Sequence, residues 1–177
     1  MGGENKVPRG GGGGGFAFVL NGQIFTVAAS ARILGGGGGA RIIDPVTDAE
    51  MGGGGGLGII LNTGTLVVDG YVSGGSGGTP KSTGDYTKGQ VPEGSPGGGV
   101  YMRSSTTVNL SSTGSIVSGA ISTPKMKSPP ALILDGSDSV INNQGTIARL
   151  FPSVPELFSV DANVVPAIYV RGDRNYI

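Results

Sequence analysis

Three aspartates, Asp135, Asp138 and Asp173, are the residues of this chain whose type and spacing could support chemistry. Two carboxylates about 5 to 9.5 Å apart cleave glycosidic bonds, and a cluster of carboxylates binds calcium. Residues three apart along a turn could approach that separation. Asp135, however, aligns with Ser104 and Arg171 in repeated segments, as expected of a solvated turn position. We therefore predict that the chain is not an enzyme.

A second acidic group, Asp44, Asp48 and Glu50, lies in a polar connection whose spacing matches no EF-hand. Calcium binding there is the alternative to a plain polar loop. The chain has no cysteine and no histidine, which removes disulfides, thiolate nucleophiles, imidazole bases and the usual zinc ligands. The prediction is therefore that the chain has no catalytic residue, no cofactor and no metal.

Two further motifs could bind a partner rather than react with it. Arg171-Gly172-Asp173 spells the tripeptide of integrin ligands, but it is in phase with Asp135-Gly136-Ser137, which indicates a turn with glycine at the bend. Receptor binding through this tripeptide is the alternative. Tyrosines could also form a carbohydrate-binding face, and the chain has five of them: Tyr71, Tyr86, Tyr101, Tyr169 and Tyr176.

The charges of the chain balance, with 12 Lys and Arg against 12 Asp and Glu. No stretch is strongly basic, so we expect neither a nucleic-acid partner nor binding to an anionic membrane surface. Apolar runs fall far short of the roughly 20 residues that span a bilayer, which predicts no membrane insertion. The first ten residues lack the pattern of a secretory signal. This absence favours assembly in a cytoplasm, or an excised part of an exported protein.

The elements that position these residues come from an internal repeat. Residues 100–116 align without a gap with residues 131–147, and a third, partial copy begins at Ala167. Repeats this short cannot each bury an apolar face, so they indicate stacked supersecondary units. The aligned pairs include Met102 with Ile133, Leu110 with Ile141, Gly114 with Gly145 and Ile116 with Ile147.

Each copy opens with a short apolar strand and closes with a polar turn, a glycine and a strand-forming residue. We therefore predict an all-β fold, a parallel β-helix (β-solenoid) in which like residues stack at the ~4.8 Å strand spacing. Right-handed winding is the expectation for parallel crossovers. Glycine-rich and irregular loops would join the strands. The structural turn residues predicted for these coils are Asn62, Gly64, Gly114, Asn143 and Gly145.

Glycine runs at 10–15, 35–39 and 52–56 allow three interpretations. They could be flexible linkers, since glycine-rich chains behave as random coils. They could be extended threads of polyproline II type packed side by side, because only glycine permits such close approach. Some glycines could also stand in for residues of unknown identity. Each run lies directly between the end of one strand and the start of the next, which favours threads over tethers.

The predicted organisation is a glycine-rich segment at 1–15 and one β-solenoid domain at 16–177 that ends in mid-coil. Insertions are predicted at about 72–99 and 150–166. Residues 74–99 are expected to lack regular structure, whereas the apolar residues of the second insertion predict an ordered loop. Surface loops carry function most often. The candidate receptor-contact residues are Tyr86, Phe151, Leu157 and Phe158.

Two families share these motifs. The string GLGIILNTGTL, followed by GGSGGTP and GGGVYM, resembles the tail-fibre tip adhesins of T-even-type bacteriophages. In that family, stacked polyglycine threads and a β-helical part support loops that touch a bacterial outer-membrane receptor. ALILDGSDSVINNQGTI and AIYVRGDRNYI are similar to coils of autotransporter passenger domains, which are displayed on bacterial cells. Together the two resemblances cover residues 57–177.

The first resemblance implies a non-catalytic structural and adhesion protein on the surface of a virion tail. Its partners would be a bacterial outer-membrane protein or surface glycan, and other structural chains that cap the ends of the stack. The first alternative is an autotransporter-type adhesin at the bacterial cell surface or outside the cell. The second alternative is a purely architectural virion or filament subunit.

Overall fold

A computed structural model describes residues 13–39, 53–78, 95–120, 129–150 and 167–177, together with the backbone of residues 42–43 and 81–82. Within these ranges the chain forms thirteen β-strands and no helix. All their named pairings are parallel. No helix of this described part is long and apolar enough to cross a membrane.

The larger sheet has seven strands and curls like half of a barrel. Two long strands, β1 (Phe18–Val27) and β4 (Ile59–Val68), lie side by side along their whole length. β4 then pairs on its other edge with two short strands, β7 (Val100–Met102) and β8 (Thr106–Leu110), which a turn separates. The remaining strands of this sheet are β10 (Leu132–Asp135), β11 (Val140–Asn143) and β13 (Ile168–Arg171).

The second sheet has four strands in the order β12-β9-β5-β2. Its members are β2 (Arg32–Leu34), β5 (Tyr71–Ser73), β9 (Ser115–Val117) and β12 (Thr146–Ala148). One further parallel pair joins β3 (Ile42–Ile43) to β6 (Lys81–Ser82).

The core is a set of aliphatic rows that cross the sheets at right angles to the strands. Alternate residues of each strand point inward, as the period of two in a strand requires. In the second sheet, Ile33, Val72 and Ile116 stack in one such row and are buried. A row of the first sheet contains Leu66 and Val108, both fully buried. A single inward row from each sheet is enough to fill the core, because buried residues of both sheets pack into one cluster.

The prediction of a parallel β-helix is wrong, although the prediction of parallel strands in an all-β chain is right. The strands form a curled half-barrel sheet and a second parallel sheet, not the coils of a solenoid. β1 and β4 each run unbroken through a position where the sequence predicted a turn between two strands. The two strands predicted on either side of that turn are therefore one strand of one sheet. A repeat reveals which residues are neighbours, but it does not reveal where a strand stays continuous.

The gap-free alignment is correct at its end and wrong at its start. Ile116 pairs with Ile147, as predicted. Met102, however, pairs with Leu134, and Val108 with Ile141. The offset changes because the turns differ in length between the copies: Met102 and Thr107 are five residues apart, whereas their partners Leu134 and Val140 are six apart. A slip of one residue moves a side chain to the other face of the sheet.

The predicted turn around Asn62 and Gly64 is also wrong, because both residues lie inside β4. Gly64 has a φ of +92° and marks a bend of this strand beside an irregularity in its pairing with β1. The residue equivalent to Gly114 and Gly145 is Gly70, which precedes β5 as they precede β9 and β12. The N–H of Ser115 donates to the carbonyl of Gly70, and that of Thr146 donates to the carbonyl of Gly114.

The register can be tested with two substitutions on one strand. Leu134 is fully buried in the core, whereas its neighbour Ile133 points to the other face and is partly exposed. We expect Leu134→Ala to lower the free energy of unfolding by about 2–5 kcal/mol, and Ile133→Ala to lower it clearly less. Urea unfolding followed by circular dichroism measures both. The gap-free alignment predicts the opposite order, so a larger loss for Ile133→Ala would refute the register described here.

Candidate functional site

Glycine-rich segments between the sheets pack against one another as an array of backbone. We call residues 13–15, 35–39, 53–56, 74–78 and 97–99 the glycine array. None of these residues belongs to a strand. Their N–H groups nevertheless donate to carbonyl oxygens of neighbouring segments at N···O distances of 2.7 to 3.1 Å. The array therefore satisfies backbone polar groups without forming a sheet.

The hydrogen bonds of the array repeat every third residue. Segment 53–56 donates twice to segment 35–39, and segment 74–78 donates twice to segment 53–56. Three residues per turn is the period of the polyproline II helix. One segment also has several neighbours: 53–56 exchanges hydrogen bonds with 13–15, 35–39, 74–78 and Ser95. The donor and acceptor pairs with this period are Gly53 with Gly39, Gly56 with Gly36, Gly75 with Gly56, and Gly78 with Gly53.

Side chains are excluded from the array by the closeness of its backbones. A Cβ built on Gly75 would overlap the carbonyl of Gly36, and one built on Gly56 would overlap the carbonyl of Gly15. At Gly38 the overlapping atom is the carbonyl oxygen of Gly53. Backbone atoms cannot move aside as the end of a flexible side chain can. Glycine is therefore required here for close approach, as it is at the axis of collagen.

The hydrogen bonds favour packed threads over linkers for the described parts of the three glycine runs. The expectation that residues 74–99 lack regular structure is wrong at both ends of that range. Residues 74–78 and 97–99 are threads of the array, and β6 lies between them. The sequence contains a signal for the thread at 74–78. Val72-Ser73-Gly74, at its start, repeats as Val117-Ser118-Gly119.

The long connections between strands begin at residues of the array. Residues 40–52 leave from Gly39 and return at Gly53, and the N–H of Gly53 donates to the carbonyl of Gly39. Residues 79–94 leave from Gly78, whose N–H donates to the carbonyl of Gly53. The two connections therefore start from adjacent threads. They also pair with each other, because β3 and β6 lie within them and are parallel.

A second group of polar residues lies near the ends of the neighbouring strands β7, β10 and β13. Tyr101 Oη donates to Asp135 Oδ2 at 2.6 Å, and Asp135 Oδ1 lies 3.7 Å from Nε of Arg171. The hydrogen bond to the Asp135 carboxylate raises the pKa of Tyr101, and burial raises it further. These three residues occupy three neighbouring strands, so their contacts link each strand to the next. We call successive strands of this kind layers.

Asp138 forms the second link at these turns. Arg174 donates through Nε and a terminal nitrogen to the two carboxylate oxygens of Asp138, at 2.6 and 2.7 Å. This bidentate contact lowers the pKa of Asp138 and raises that of Arg174. Ser105, Asp138 and Arg174 all have positive φ, between 53° and 60°. Equivalent turn residues thus repeat the same left-handed conformation from layer to layer.

The candidate acids of the sequence therefore lie at the end of a strand, as Asp135 does in β10, or in the turn that follows, as Asp138 and Asp173 do. Asp135 and Asp138 contact tyrosine or arginine, and the N–H of Asp173 donates to Oγ of Ser137 at 3.0 Å. Arg171-Gly172-Asp173 is a turn, with Gly172 at a φ of +115°. No group of three or more metal-binding side chains comes together in the described ranges. Asp44, Asp48 and Glu50 lie outside them.

Asparagines connect the strands where the sequence predicted turns. Asn62 Nδ2 donates to Oδ1 of Asn21 at 2.7 Å, and Asn142 Nδ2 donates to Oδ1 of Asn109 at 2.8 Å. Asn143 has another role, because its Oδ1 accepts from the N–H of Gly145 and closes the turn before β12. The candidate receptor-contact residues Tyr86, Phe151, Leu157 and Phe158 lie outside the described residues.

Tyr101 and Tyr169 lie in one row on the same face of the larger sheet, with Ile133 between them, whereas Tyr71 belongs to the second sheet. The guanidinium of Arg32 lies 4.7 Å above the ring of Tyr71, and Tyr169 and Tyr176 are exposed near the end of the chain. The sequence missed Gly70, Gly75 and the Asp138–Arg174 pair. The equivalent of Asp138 is Ser105 in one copy and Arg174 in another. The alignment that places Gly172 on Gly136 also places Arg174 on Asp138, so their opposite charges were the signal for this pair.

Comparison with protein-family models, curated proteins and solved structures finds no match to this chain.

The array can be tested by adding one methyl group. We expect Gly75→Ala to destabilise the protein by more than about 2 kcal/mol, because the new Cβ overlaps a backbone carbonyl. Gly15→Ala is the matched control, since a Cβ at Gly15 has no atom within 4 Å. Thermal and urea unfolding measure both variants. Equal stability of the two variants would contradict the packing of the array.

The contact between Tyr101 and Asp135 predicts a dependence of stability on pH. Because the folded-state pKa of Tyr101 is raised, this group contributes stability that is fully present below the unfolded pKa of about 10. That contribution is lost as pH rises through the folded-state pKa. We expect Tyr101→Phe to be less stable than the parent chain at pH 8, with the difference shrinking above pH 10. Urea unfolding at each pH measures this difference. The stability difference between Asp135→Asn and the parent chain should shrink over the same pH range.

Proposed function

We propose that this chain is a non-catalytic adhesion protein in which the glycine array holds long connections that contact a receptor on a bacterial surface. The supporting observation is the pairing of neighbouring connections at the array. Two of them begin on adjacent threads and pair again through β3 and β6. The array can bend little, because its threads are hydrogen-bonded to one another and Ser76 is its one residue with a side chain among the described residues. Such a base presents its connections in a constant arrangement.

Pre-organisation is what a binding loop gains from such a base. A loop with fixed ends loses less conformational entropy on binding than a free one. The connection at 151–166 also has fixed ends: the N–H of Leu150 donates to Oγ of Ser118, and the carbonyl of Ala167 accepts from Ala131. The sequence of this connection is rich in apolar residues. Phe151, Leu157 and Phe158 are the residues that we propose for receptor contact, together with Tyr86 of the connection at 79–94.

The acids of the chain support a non-catalytic role. Asp135 and Asp138 are bonded to residues of neighbouring layers, so their carboxylates hold the turns together. An outer-membrane protein or surface glycan is the proposed receptor, and the surface of a virion tail is the proposed location. The resemblance of the strings GLGIILNTGTL, GGSGGTP and GGGVYM to phage tail-fibre tip adhesins supports both proposals.

Binding of the labelled full-length chain to bacterial cells and to outer-membrane vesicles tests this function. We expect saturable binding that the double substitution Leu157→Ser and Phe158→Ser weakens about tenfold or more, as loss of a central apolar anchor does. Tyr169→Ser is the matched control, because Tyr169 is an exposed aromatic residue of β13 outside the connections. Circular dichroism confirms that each variant is folded. Binding that the double substitution leaves unchanged would contradict the proposed contact surface.

An architectural subunit is the second candidate, and the exposed strand β1 favours it. Phe18, Val19 and Ile24 of this strand are all exposed, which suits contact with another chain. This candidate predicts assembly into oligomers with no saturable binding to cells or vesicles from any bacterial host. The same binding experiment therefore separates the two candidates.

A further inference from the structure

We infer that Asn21 is a modification site, at which β1 converts slowly to isoaspartate without an enzyme, and that this conversion loosens β1 from β4. The inference is independent of the proposed receptor contact. It rests on the residue that follows Asn21, on the irregular pairing of the two strands there, and on the contact between Asn21 and Asn62.

Glycine follows Asn21, and no other asparagine of the chain precedes a glycine. A backbone nitrogen can attack the side-chain carbonyl carbon of the preceding asparagine only where the backbone between the two can bend. Glycine permits the most bending, because it has no Cβ. Gly22 is exposed, and a Cβ built on it would have no atom within 4 Å. The space beside Gly22 is therefore open to the ring that such an attack forms.

The pairing of β1 with β4 does not hold the backbone in place at this point. The register passes from Asn21 directly to Ile24, so Gly22 and Gln23 have no paired residue in β4. A regular ladder keeps a strand extended, with its backbone nitrogen turned away from the preceding side chain. An irregularity of this kind disrupts the ladder locally and lets the strand bend. The structure thus removes the restraint that protects an asparagine inside a regular strand.

The side chain of Asn21 is also in contact with a suitable donor. Asn62 Nδ2 donates to Oδ1 of Asn21 at 2.7 Å. Attack on Cγ places negative charge on that same Oδ1, and a donor directed at developing charge stabilises the transition state. Asn21 is exposed, so the ammonia that leaves has access to water.

The conversion needs only water as a co-reactant. The backbone nitrogen of Gly22 gives up its proton and bonds to Cγ of Asn21, while the bond from Cγ to Nδ2 breaks and Nδ2 leaves with a proton as ammonia. The product is a five-membered cyclic imide. Water then opens one of the two C–N bonds of the imide. Breaking the bond at Cγ gives aspartate, and breaking the original peptide bond gives isoaspartate.

The two products differ in their effect on the strand. Aspartate keeps the backbone of β1 unchanged and still offers a side-chain oxygen to Asn62. Isoaspartate routes the backbone through Cγ, which adds one methylene group to the main chain and leaves the α-carboxylate as a short branch. β1 then cannot keep both Leu20 and Phe25 over their partners in β4, because a change in strand length displaces the side chains that follow. Loosening is therefore specific to isoaspartate.

Storage of the full-length chain at mildly alkaline pH, followed by peptide mass spectrometry, tests the modification. We expect the peptide containing Asn21 to gain the mass difference between an amide and an acid, and to become a methyl acceptor for protein isoaspartyl methyltransferase. Gly22→Ala should slow the conversion at least about fivefold, because a Cβ restricts the backbone. The added methyl group contacts nothing, so this variant keeps the fold. Asn142, an exposed asparagine in β11, is the internal control and should convert far more slowly.

Urea unfolding of the stored chain tests the loosening. We expect its midpoint to fall below that of the fresh chain, and the midpoint of stored Gly22→Ala to fall less. Asn21→Asp is the matched control, because it has the charge of the product without the longer backbone, and it should unfold at the midpoint of the fresh chain. Treatment of the stored chain with the methyltransferase and S-adenosylmethionine returns isoaspartate to the imide and step by step to aspartate. This treatment should restore the midpoint.

Two outcomes would overturn the inference. Loss of the amide of Asn21 no faster than that of Asn142 would show that β1 holds its backbone too firmly for the attack. Conversion to isoaspartate with an unfolding midpoint equal to that of Asn21→Asp would show that β1 stays on β4 despite the longer backbone.

Discussion

Direct contact between backbones is the constraint on which this structure depends. In the glycine array, carbonyl oxygens of one segment occupy the space where a neighbour's Cβ would be, as at Gly75 and Gly56. This closeness lets N–H and C=O groups of adjacent threads bond directly. The array then replaces side-chain packing with hydrogen bonds, so it needs neither an apolar interior nor strands. The two parallel sheets are connected through it.

The sheets and the array stabilise the chain by different means. The sheets bury single rows of aliphatic residues such as Val72 and Ile116, a thin core that depends on apolar burial. The strand ends and the turns add contacts between neighbouring strands, among them Tyr101 with Asp135 and Asp138 with Arg174. These turn contacts are at least partly exposed, and exposed ion pairs contribute little stability. Their consistent positions favour a role in keeping successive layers in register.

An open end is the consequence of building by layers. Each inner layer is covered on both sides, and Ile59 and Leu66 are fully buried for that reason. β1 has the same inward pattern but no strand on its other side within the described ranges, and its phenylalanines are partly exposed. Repetition of one apolar pattern therefore creates an adhesive end unless polar residues or a partner protect it. This property and the fixed origins of the long connections both suit a protein that works by contact.

The sequence by itself determined that the strands are parallel, that Ile116 lies against Ile147, and that glycine runs separate strands, because local composition and repetition specify these features. It did not determine the register at Met102 or the unbroken course of β4. Only the tertiary structure decided those, since each depends on turn conformation and on which chain segments meet in space. The same reason explains the curled sheet: strand continuity is a property of the assembled layers, and a repeat pattern does not encode it.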